Sequence, residues 1–220
     1  MLSYFYMNPD FQQKILTIKQ YLGTGSVNIF GLPMSGKDTV GVKLAEAIGG
    51  KFLSSGLIIR SMEAMQNKHL TDKGELVDTD IFYDWVLPYF DKEELKPFPL
   101  VLSSIGRWKG EEDTVMDRAK TSGHEIKAAV ILNISEADVL NRWQTVSTLN
   151  DRGTRYDDEK PEVFQTRLDE FRTKTLPVML HYRELGLLVE VKADMNRDEV
   201  FLELINKLYE FVLRKQQSAS

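Results

Sequence analysis

The stretch VNIFGLPMSGKDTV at residues 27–40 constrains the fold more than any other part of the sequence. A short apolar run ends at Gly31, a loop bracketed by Gly31 and Gly36 follows, and Lys37 opens a segment with helical spacing. The order G-x-x-x-x-G-K between a strand and a helix is typical of a phosphate-binding loop. Glycines let backbone amides curl around phosphate oxygens, the helix N-terminus adds its dipole, and a lysine bridges the terminal phosphates. The sequence therefore predicts a site for the phosphates of a nucleotide at this turn.

The loop departs from the strict motif at one position. Asp38 follows the lysine where the motif has Ser or Thr, and Thr39 comes one residue later. An ordinary glycine turn with a solvated lysine is the alternative interpretation. The strand before the loop and the helix after it argue against that alternative.

Strand-like and helix-like segments alternate along the rest of the chain. The apolar runs are VNIF, KFL, FPLVLSS, KAAVILNIS and LLVEVKA, and amphipathic segments lie between them. This alternation predicts an α/β fold of three layers, with about five parallel strands and helices on both faces of the sheet. Residues 55–96 and 147–158 do not fit the alternation, so we expect them to form mobile lobes over a binding cleft.

Composition excludes several other classes of protein. A formal net charge of −5 and a pI of about 5.4 give no basic field for nucleic acid or an anionic membrane, so an anion site has to be a local cluster of Arg and Lys. The absence of cysteine excludes disulfides and cysteine-based zinc sites, and the three histidines have no metal-ligand spacing. No apolar run approaches the roughly 20 residues of a membrane helix, and the N-terminus is a poor signal peptide. We therefore expect a cytoplasmic protein with no membrane or nucleic-acid partner.

The order GLPMSGKDT resembles the phosphate loop of the adenylate kinase branch of nucleoside monophosphate kinases, in which one residue also separates the lysine from a threonine. The resemblance extends over residues 26–212. It implies a single P-loop NTPase-type domain whose parts are a core at residues 24–54, 97–146 and 159–215, an acceptor-binding lobe at residues 55–96, a short lid at residues 147–158 and an extra N-terminal helix at residues 9–22. The loop residues that it places against ATP are Gly31, Pro33, Met34, Ser35, Gly36, Lys37, Asp38 and Thr39.

The resemblance also assigns residues to the acceptor nucleotide. The segment LSSGLIIR places Ser55 and Gly56 against the acceptor nucleoside and Arg60 against its phosphate. The segment GELVDTDI places Val77 near the acceptor base, and LSSIGR places Arg107 at the acceptor phosphate. Arginine suits the phosphate positions because its planar fork binds phosphate oxygens and stays charged.

Further arginines match positions at the donor nucleotide and at the transferring phosphoryl group. Arg142 in VLNRW is expected at the donor adenine and phosphates, whereas Arg155 in RYDD and Arg167 in the next helix are expected at the transferring group. Transfer between two polyanions requires such a cage of cations, because the charges of both must be neutralised. The catalytic residues implied are Lys37, Arg107, Arg142, Arg155 and Arg167.

The function implied by the resemblance is a reversible, magnesium-dependent transfer of a phosphoryl group from ATP to a nucleoside monophosphate, with AMP as the first choice. The partners are then ATP, ADP and the monophosphate. The Mg²⁺ cofactor is held mainly by nucleotide phosphates and water rather than by a set of protein ligands. The lid has no zinc cysteines, and the sequence does not predict the oligomeric state.

Two positions depart from the family pattern and leave alternatives open. Ser103 stands where an aspartate usually helps to hold hydrated Mg²⁺, and Asp38 either supplies the missing charge or only favours the first helical turn. Glu111 stands where a glutamine usually reads adenine. A carboxylate only accepts hydrogen bonds, which makes GMP or CMP alternative acceptors, unless Glu111 is simply an acid favoured at a helix N-terminus. A kinase for another small molecule and a degenerate, non-catalytic nucleotide-binding protein are the alternative functions.

Overall fold

A computed structural model describes residues 8–149 and 160–218 of the protein. Its strands are β1 (Ser26–Gly31), β2 (Lys51–Ser54), β3 (Leu100–Ser103), β4 (Ile126–Asn133) and β5 (Leu188–Lys192). Its helices are α1 (Pro9–Leu22), α2 (Lys37–Ile48), α3 (Ser55–Gln66), α4 (Thr79–Val86), α5 (Glu111–Thr121), α6 (Glu136–Leu149), α7 (Pro161–Glu170), α8 (Leu176–Glu184) and α9 (Arg197–Ser218). None of the helices in these ranges has the length and apolar character that a bilayer crossing requires.

The strands form one parallel sheet in the order β2-β3-β1-β4-β5. The central strand β1 pairs its Ile29 with Ser103 of β3 on one side and with Val130 of β4 on the other. Every residue of β1 is buried, as expected for a parallel strand that is covered by helices on both faces. The carboxyl ends of β1 and β3 therefore lie side by side, at the edge where open α/β sheets bind their ligands.

Neighbouring residues of β1 face different helical layers, because side chains alternate along a strand. Ile29 packs in a cluster with apolar residues of α1, α2 and α9. Phe30 packs in a second cluster with apolar residues of α3, α4, α5 and α8. The sheet thus has helices on both faces, and the predicted three-layer α/β fold is confirmed.

Helix α1 precedes the sheet and completes one of these layers. The Asn8 side chain caps it by accepting a hydrogen bond from the Asp10 amide at 2.9 Å, and Pro9 occupies the first helical position. On its inner face, Phe11 makes an edge-to-face contact with Phe201 of α9, with 6.2 Å between ring centroids. The apolar face of α1 is therefore used within the domain.

The sequence predicts one long helix with a kink near Pro177, and the structure gives the kink a definite form. Helix α7 ends at Glu170, a π-helical turn spans Phe171–Thr175, and α8 continues from Leu176. Pro177 has no amide hydrogen, and its ring clashes with the carbonyl one turn earlier, so a regular α-helix cannot pass through it. The turn has a consequence for the site, since Phe171 and Thr175 both line the cleft described below.

Candidate active site

The loop after β1 has the backbone of a phosphate-binding loop. Met34 (φ 62°) and Gly36 (φ 89°) both adopt the left-handed conformation, which curls the chain before α2 begins at Lys37. Gly36 is the N-cap of α2 and provides no side-chain acceptor for the first amides of the helix. Those amides remain available to an anion, and the helix dipole favours one there. Thr39, another residue expected at this site, lies in the first turn of the same helix.

Gly31 is required by close packing rather than by its backbone angle. A Cβ atom at this position would lie 2.6 Å from Ser35 Oγ and 3.2 Å from the Cβ of Leu132. The first distance is shorter than real Cβ contacts allow, so a larger residue would force either the Ser35 side chain or the loop to move. The Ser35 side chain is buried over this glycine.

A cleft opens beside the loop and gathers cations from separate parts of the chain. Its volume is about 690 Å³, part of which is open to solvent. Of the residues expected to bind the donor, Gly31, Pro33 and Lys37 line it. Of the other expected site residues, Gly56, Arg60, Val77, Arg107 and Arg167 line it. The structure thus brings together Lys37 of α2, Arg60 of α3, Arg107 after β3 and Arg167 of α7.

The cations of the cleft are close enough to perturb each other. The pKa of Arg107 is lowered to about 10, first by burial and then by the positive charge of Arg167, with a smaller contribution from Arg60. Asp38 and Glu111 act in the opposite direction. A cluster in which positive charges disfavour one another is stabilised by a bound anion, which is what a phosphate site requires.

The loop that carries Arg107 is fixed by polar side chains from β1 and α3. The buried Asn28 donates to the Ile105 carbonyl at 2.7 Å and accepts from the Ile105 amide at 3.3 Å. The Ser55 hydroxyl donates to the Ser104 carbonyl at 2.7 Å, and the Arg107 guanidinium donates to Ser55 Oγ at 3.4 Å. Sequence reasoning missed Asn28, and its only signal was a polar residue inside the apolar run VNIF.

A smaller pocket of about 250 Å³ adjoins the cleft. It shares Val77 and Arg107 with the cleft and is otherwise lined by residues that include Ser55, Phe82 and Glu111. Its lining is largely apolar, with a carboxylate and an arginine at its wall.

Glu111 is almost fully buried at this pocket, with 2% of its surface exposed. One carboxylate oxygen accepts from the Thr79 hydroxyl at 2.9 Å, and the other accepts from the backbone amides of Arg107 at 2.9 Å and Trp108 at 3.0 Å. Burial raises the pKa of Glu111, and these hydrogen bonds offset part of that rise. The carboxylate therefore ties the start of α4 to the loop that carries Arg107.

The side chains of Asp38 and Ser103, the two residues considered above for Mg²⁺ binding, form a hydrogen bond with each other. The Ser103 hydroxyl donates to Asp38 Oδ1 at 2.5 Å. Ser103 is the last residue of β3 and is buried, so it holds the carboxylate at the carboxyl edge of the sheet beside the phosphate loop.

Arg142 lies outside the set of residues that line the cleft. Its guanidinium donates to the carbonyls of Ala193 at 2.6 Å and Met195 at 3.1 Å, after β5, and to the carbonyls of Met34 at 3.5 Å and Ser35 at 3.3 Å. Arg142 thus connects the phosphate loop with the segment after the last strand. Its contacts with the Met34 and Ser35 carbonyls place its guanidinium beside the phosphate loop.

The segment between α3 and α4 packs on α7. The Leu76 amide donates to the carboxylate of Glu170 at 3.0 Å, and a Cβ atom at Gly74 would lie 2.6 Å from the Val163 carbonyl oxygen. Sequence reasoning missed Glu170, which lines the cleft and also pairs with Lys174 at 2.7 Å. Arg155 lies outside the described residues, as does most of the expected lid at residues 147–158.

Comparison with known proteins gives distant but extensive similarities. No protein-family model matches the chain. Adenylate kinase from Streptococcus thermophilus (strain CNRZ 1066) is 23% identical in an alignment of 206 positions that covers 80% of this chain and 94% of that protein. Adenylate kinase from Methylobacterium nodulans is 26% identical over 200 residues, covering 87% and 98% of the two chains. Adenylate kinase from Rhizobium meliloti is 28% identical over 185 residues, covering 80% and 96%.

A solved structure shares the fold over nearly the whole chain. The crystal structure of a gluconokinase from Sinorhizobium meliloti 1021 superposes with a TM-score of 0.60 at 19% sequence identity, covering 90% of this chain and 99% of that one. This protein therefore has the same three-layer α/β fold as that structure. Together, the similarities support a phosphotransferase of the P-loop type.

Proposed function

We propose that this protein is a nucleoside monophosphate kinase that transfers a phosphoryl group reversibly from ATP to a nucleoside monophosphate, with AMP as the first candidate. The observation that carries the proposal is the convergence of Lys37, Arg60, Arg107 and Arg167 on one cleft beside a phosphate-type loop. One cation would serve a donor phosphate, but a cluster of this size matches two phosphorylated ligands brought into contact.

The reaction needs positioning and charge neutralisation rather than a nucleophilic side chain. An oxygen of the acceptor phosphate attacks the γ-phosphorus of ATP and forms a new P–O bond. The bond between that phosphorus and the oxygen bridging to the β-phosphate breaks, so ATP leaves as ADP and AMP becomes ADP. The cations of the cleft reduce the repulsion between the two polyanions.

The proposal gives each residue a role. The amides of the loop and Lys37 hold the donor phosphates, with Arg142 keeping the loop in shape through its carbonyls. Arg60 and Arg107 hold the acceptor phosphate. Arg167, and Arg155 from the lid, would bind the transferring group, and the smaller pocket at Val77 would take the acceptor base.

We further propose that residues 55–96 and 147–158 act as lobes that close over the bound nucleotides to exclude water.

Magnesium fits the donor set beside the loop. Asp38, Thr39 and Ser103 offer the oxygen donors that Mg²⁺ prefers. Within the described ranges no group of three or more His, Cys, Asp or Glu side chains could hold a metal ion, so the proposal assigns most of the ligands to nucleotide phosphates and water. When bound, the ion would neutralise charge that develops on the phosphates.

Separate observations indicate which acceptor the protein uses. The relatives named above are adenylate kinases, which favours AMP. Glu111 keeps GMP and CMP open, because a carboxylate at the pocket wall accepts hydrogen bonds from amino groups. An acceptor without a phosphate, such as the gluconate of the structural neighbour's name, would offer Arg60 and Arg107 at most a single carboxylate charge, whereas a monophosphate offers up to two.

The test is phosphoryl transfer from ATP, with Mg²⁺, to AMP, GMP, CMP, UMP and their deoxy forms, with gluconate as a control acceptor. We expect transfer to one preferred monophosphate and none to gluconate. Arg60→Ala and Arg107→Ala should raise the KM for the acceptor, whereas Arg183→Ala, an exposed arginine paired with Glu190 outside the cleft, should not. Binding of ATP without transfer to any monophosphate would refute the proposal in favour of a non-catalytic protein or another acceptor.

A further inference from the structure

The Asp38 carboxylate occupies an unusual place for an acid. It belongs to the residue next to Lys37, in the first turn of α2, and its Oδ1 accepts a 2.5 Å hydrogen bond from Ser103. Ser103 ends β3 beside β1, where it pairs with Ile29, and is buried. The carboxylate is therefore held at the carboxyl ends of β1 and β3, beside the phosphate loop.

The helix dipole alone does not explain this arrangement. An acid in the first helical turn is favoured whichever way its side chain points, and the dipole needs no partner on a neighbouring strand. The acid also stands next to a loop built for a polyanion, and two negative charges in contact repel each other unless a cation separates them.

A second observation at the loop also points to a ligand. The hydroxyl of Ser35 is buried and, among the residues that the structure describes, has no hydrogen-bond partner. It lies against Gly31, which lines the cleft. A buried hydroxyl without a partner is costly unless a ligand or an ordered water satisfies it.

We infer that Asp38, oriented by Ser103, is the protein carboxylate that binds the Mg²⁺ of MgATP, either directly or through a metal-bound water. Mg²⁺ in kinase sites is typically bound by one or two carboxylates together with phosphates and water. Ser103 is a positioning residue, since its hydroxyl donates a hydrogen bond to Asp38 and its oxygen lone pairs stay available to a metal-bound water. This inference rests on the proposed binding of ATP.

The test compares the affinity for ATP with Mg²⁺ and with EDTA, measured by isothermal titration calorimetry. For Asp38→Asn we expect the affinity for MgATP to fall about tenfold or more, as for other partners of bound metals. The affinity for metal-free ATP should stay the same or rise, because a negative charge next to a polyanion has been removed. Ser103→Ala should give a smaller loss in the same direction. Asp10→Asn, which removes an acid from the first turn of α1, should change neither value.

A rescue experiment separates a metal role from a general charge effect. In Asp38→Asn/Ser103→Asp the carboxylate moves to the neighbouring strand end, and we expect the preference for MgATP over metal-free ATP to return. Binding of MnATP followed by electron paramagnetic resonance gives a readout on the metal itself, and the Mn²⁺ spectrum should change between wild type and Asp38→Asn. Circular dichroism and thermal unfolding check that each variant folds.

The outcomes distinguish this inference from the proposed function. If Asp38→Asn weakens MgATP and metal-free ATP equally, or tightens both, Asp38 acts through overall charge and the inference is wrong while ATP binding stands. An unchanged Mn²⁺ spectrum would overturn the inference in the same way. If the wild-type protein binds no ATP with or without Mg²⁺, the proposed function fails and the inference fails with it.

Discussion

Removing the Glu111 carboxylate should lower the stability of the fold and weaken binding of the acceptor nucleotide. In Glu111→Ala the backbone amides of Arg107 and Trp108 lose their common acceptor, and the Thr79 hydroxyl loses its partner. A buried donor left without a partner costs about 1–3 kcal/mol, so the two amides predict a loss of about 2–6 kcal/mol in the free energy of unfolding. The Arg107 loop would shift as well, and we expect the KM for the acceptor to rise more than the KM for ATP.

Glu111→Gln is the matched control for this prediction. Its amide oxygen can accept from both backbone amides, while its NH₂ group can donate to the Thr79 hydroxyl. We expect the free energy of unfolding to change by less than about 1 kcal/mol and the preferred acceptor to stay the same. A switch of acceptor in Glu111→Gln would show instead that the carboxylate reads the base, as its place at the pocket wall allows.

The pH dependence of stability gives an independent check. Burial raises the pKa of Glu111 in the folded state above its ordinary value of 4.5. Between these two pKa values the folded state holds a proton that the unfolded state has released, so stability falls as the pH rises through that window. Glutamine does not titrate. The stability of wild type relative to Glu111→Gln should therefore decrease as the pH rises from the ordinary pKa of a glutamate.

Urea denaturation of the wild type and both variants between acid and neutral pH, together with steady-state kinetics for each acceptor, measures all of these quantities. A loss below about 1 kcal/mol in Glu111→Ala, less than one unpaired amide costs, would refute the argument that this carboxylate holds the loop. A relative stability that rises with pH would show that the hydrogen bonds to the carboxylate outweigh the cost of burying its charge.

Three further predictions concern the donor side and the cleft as a whole. Gly31→Ala places a Cβ 2.6 Å from Ser35 Oγ, so ATP affinity measured by calorimetry should fall about tenfold or more, with overpacking costing about 1–3 kcal/mol of stability. Arg142→Lys replaces a fork that spans two loops by a single ammonium, so the KM for ATP should rise about tenfold while the KM for the acceptor stays unchanged. Because a ligand that binds only the folded state stabilises it, ATP or AMP at about 100 times its Kd should stabilise the fold by about 2.7 kcal/mol and raise Tm by about 5–10 °C in a thermal scan.

Local pattern was enough to predict the fold class and the phosphate loop. Apolar runs of strand length, glycines at the loop and helical spacing after Lys37 are all properties of neighbouring residues. These elements predict only part of the sheet topology. The parallel arrangement is required by the helical connections, whereas the central position of β1 depends on pairings between β1, β3 and β4 that no single segment encodes.

Contacts between distant residues were harder to predict. Arg142 donates hydrogen bonds to carbonyls at residues 34, 35, 193 and 195. The sequence around Arg142 does not indicate these partners. Glu170 accepts a hydrogen bond from the Leu76 amide, 94 residues away in the sequence. Because nearly all residues have a backbone amide, the residue types do not indicate this contact. Asn28 gave a local signal as a polar residue in an apolar strand, but its partner Ile105 could be identified only in the structure.

The two acids that depart from the expected pattern meet at Arg107. Asp38 precedes Arg107 in the sequence and Glu111 follows it. The negative charge of each acid raises the pKa of Arg107, whereas the positive charges of Arg167 and Arg60 lower it. Both acids therefore act on the charge of the guanidinium that is proposed to bind the acceptor phosphate. Replacing both acids by neutral amides removes both opposing charges at once, which lowers the pKa of Arg107 further and strengthens the drive to bind an anion.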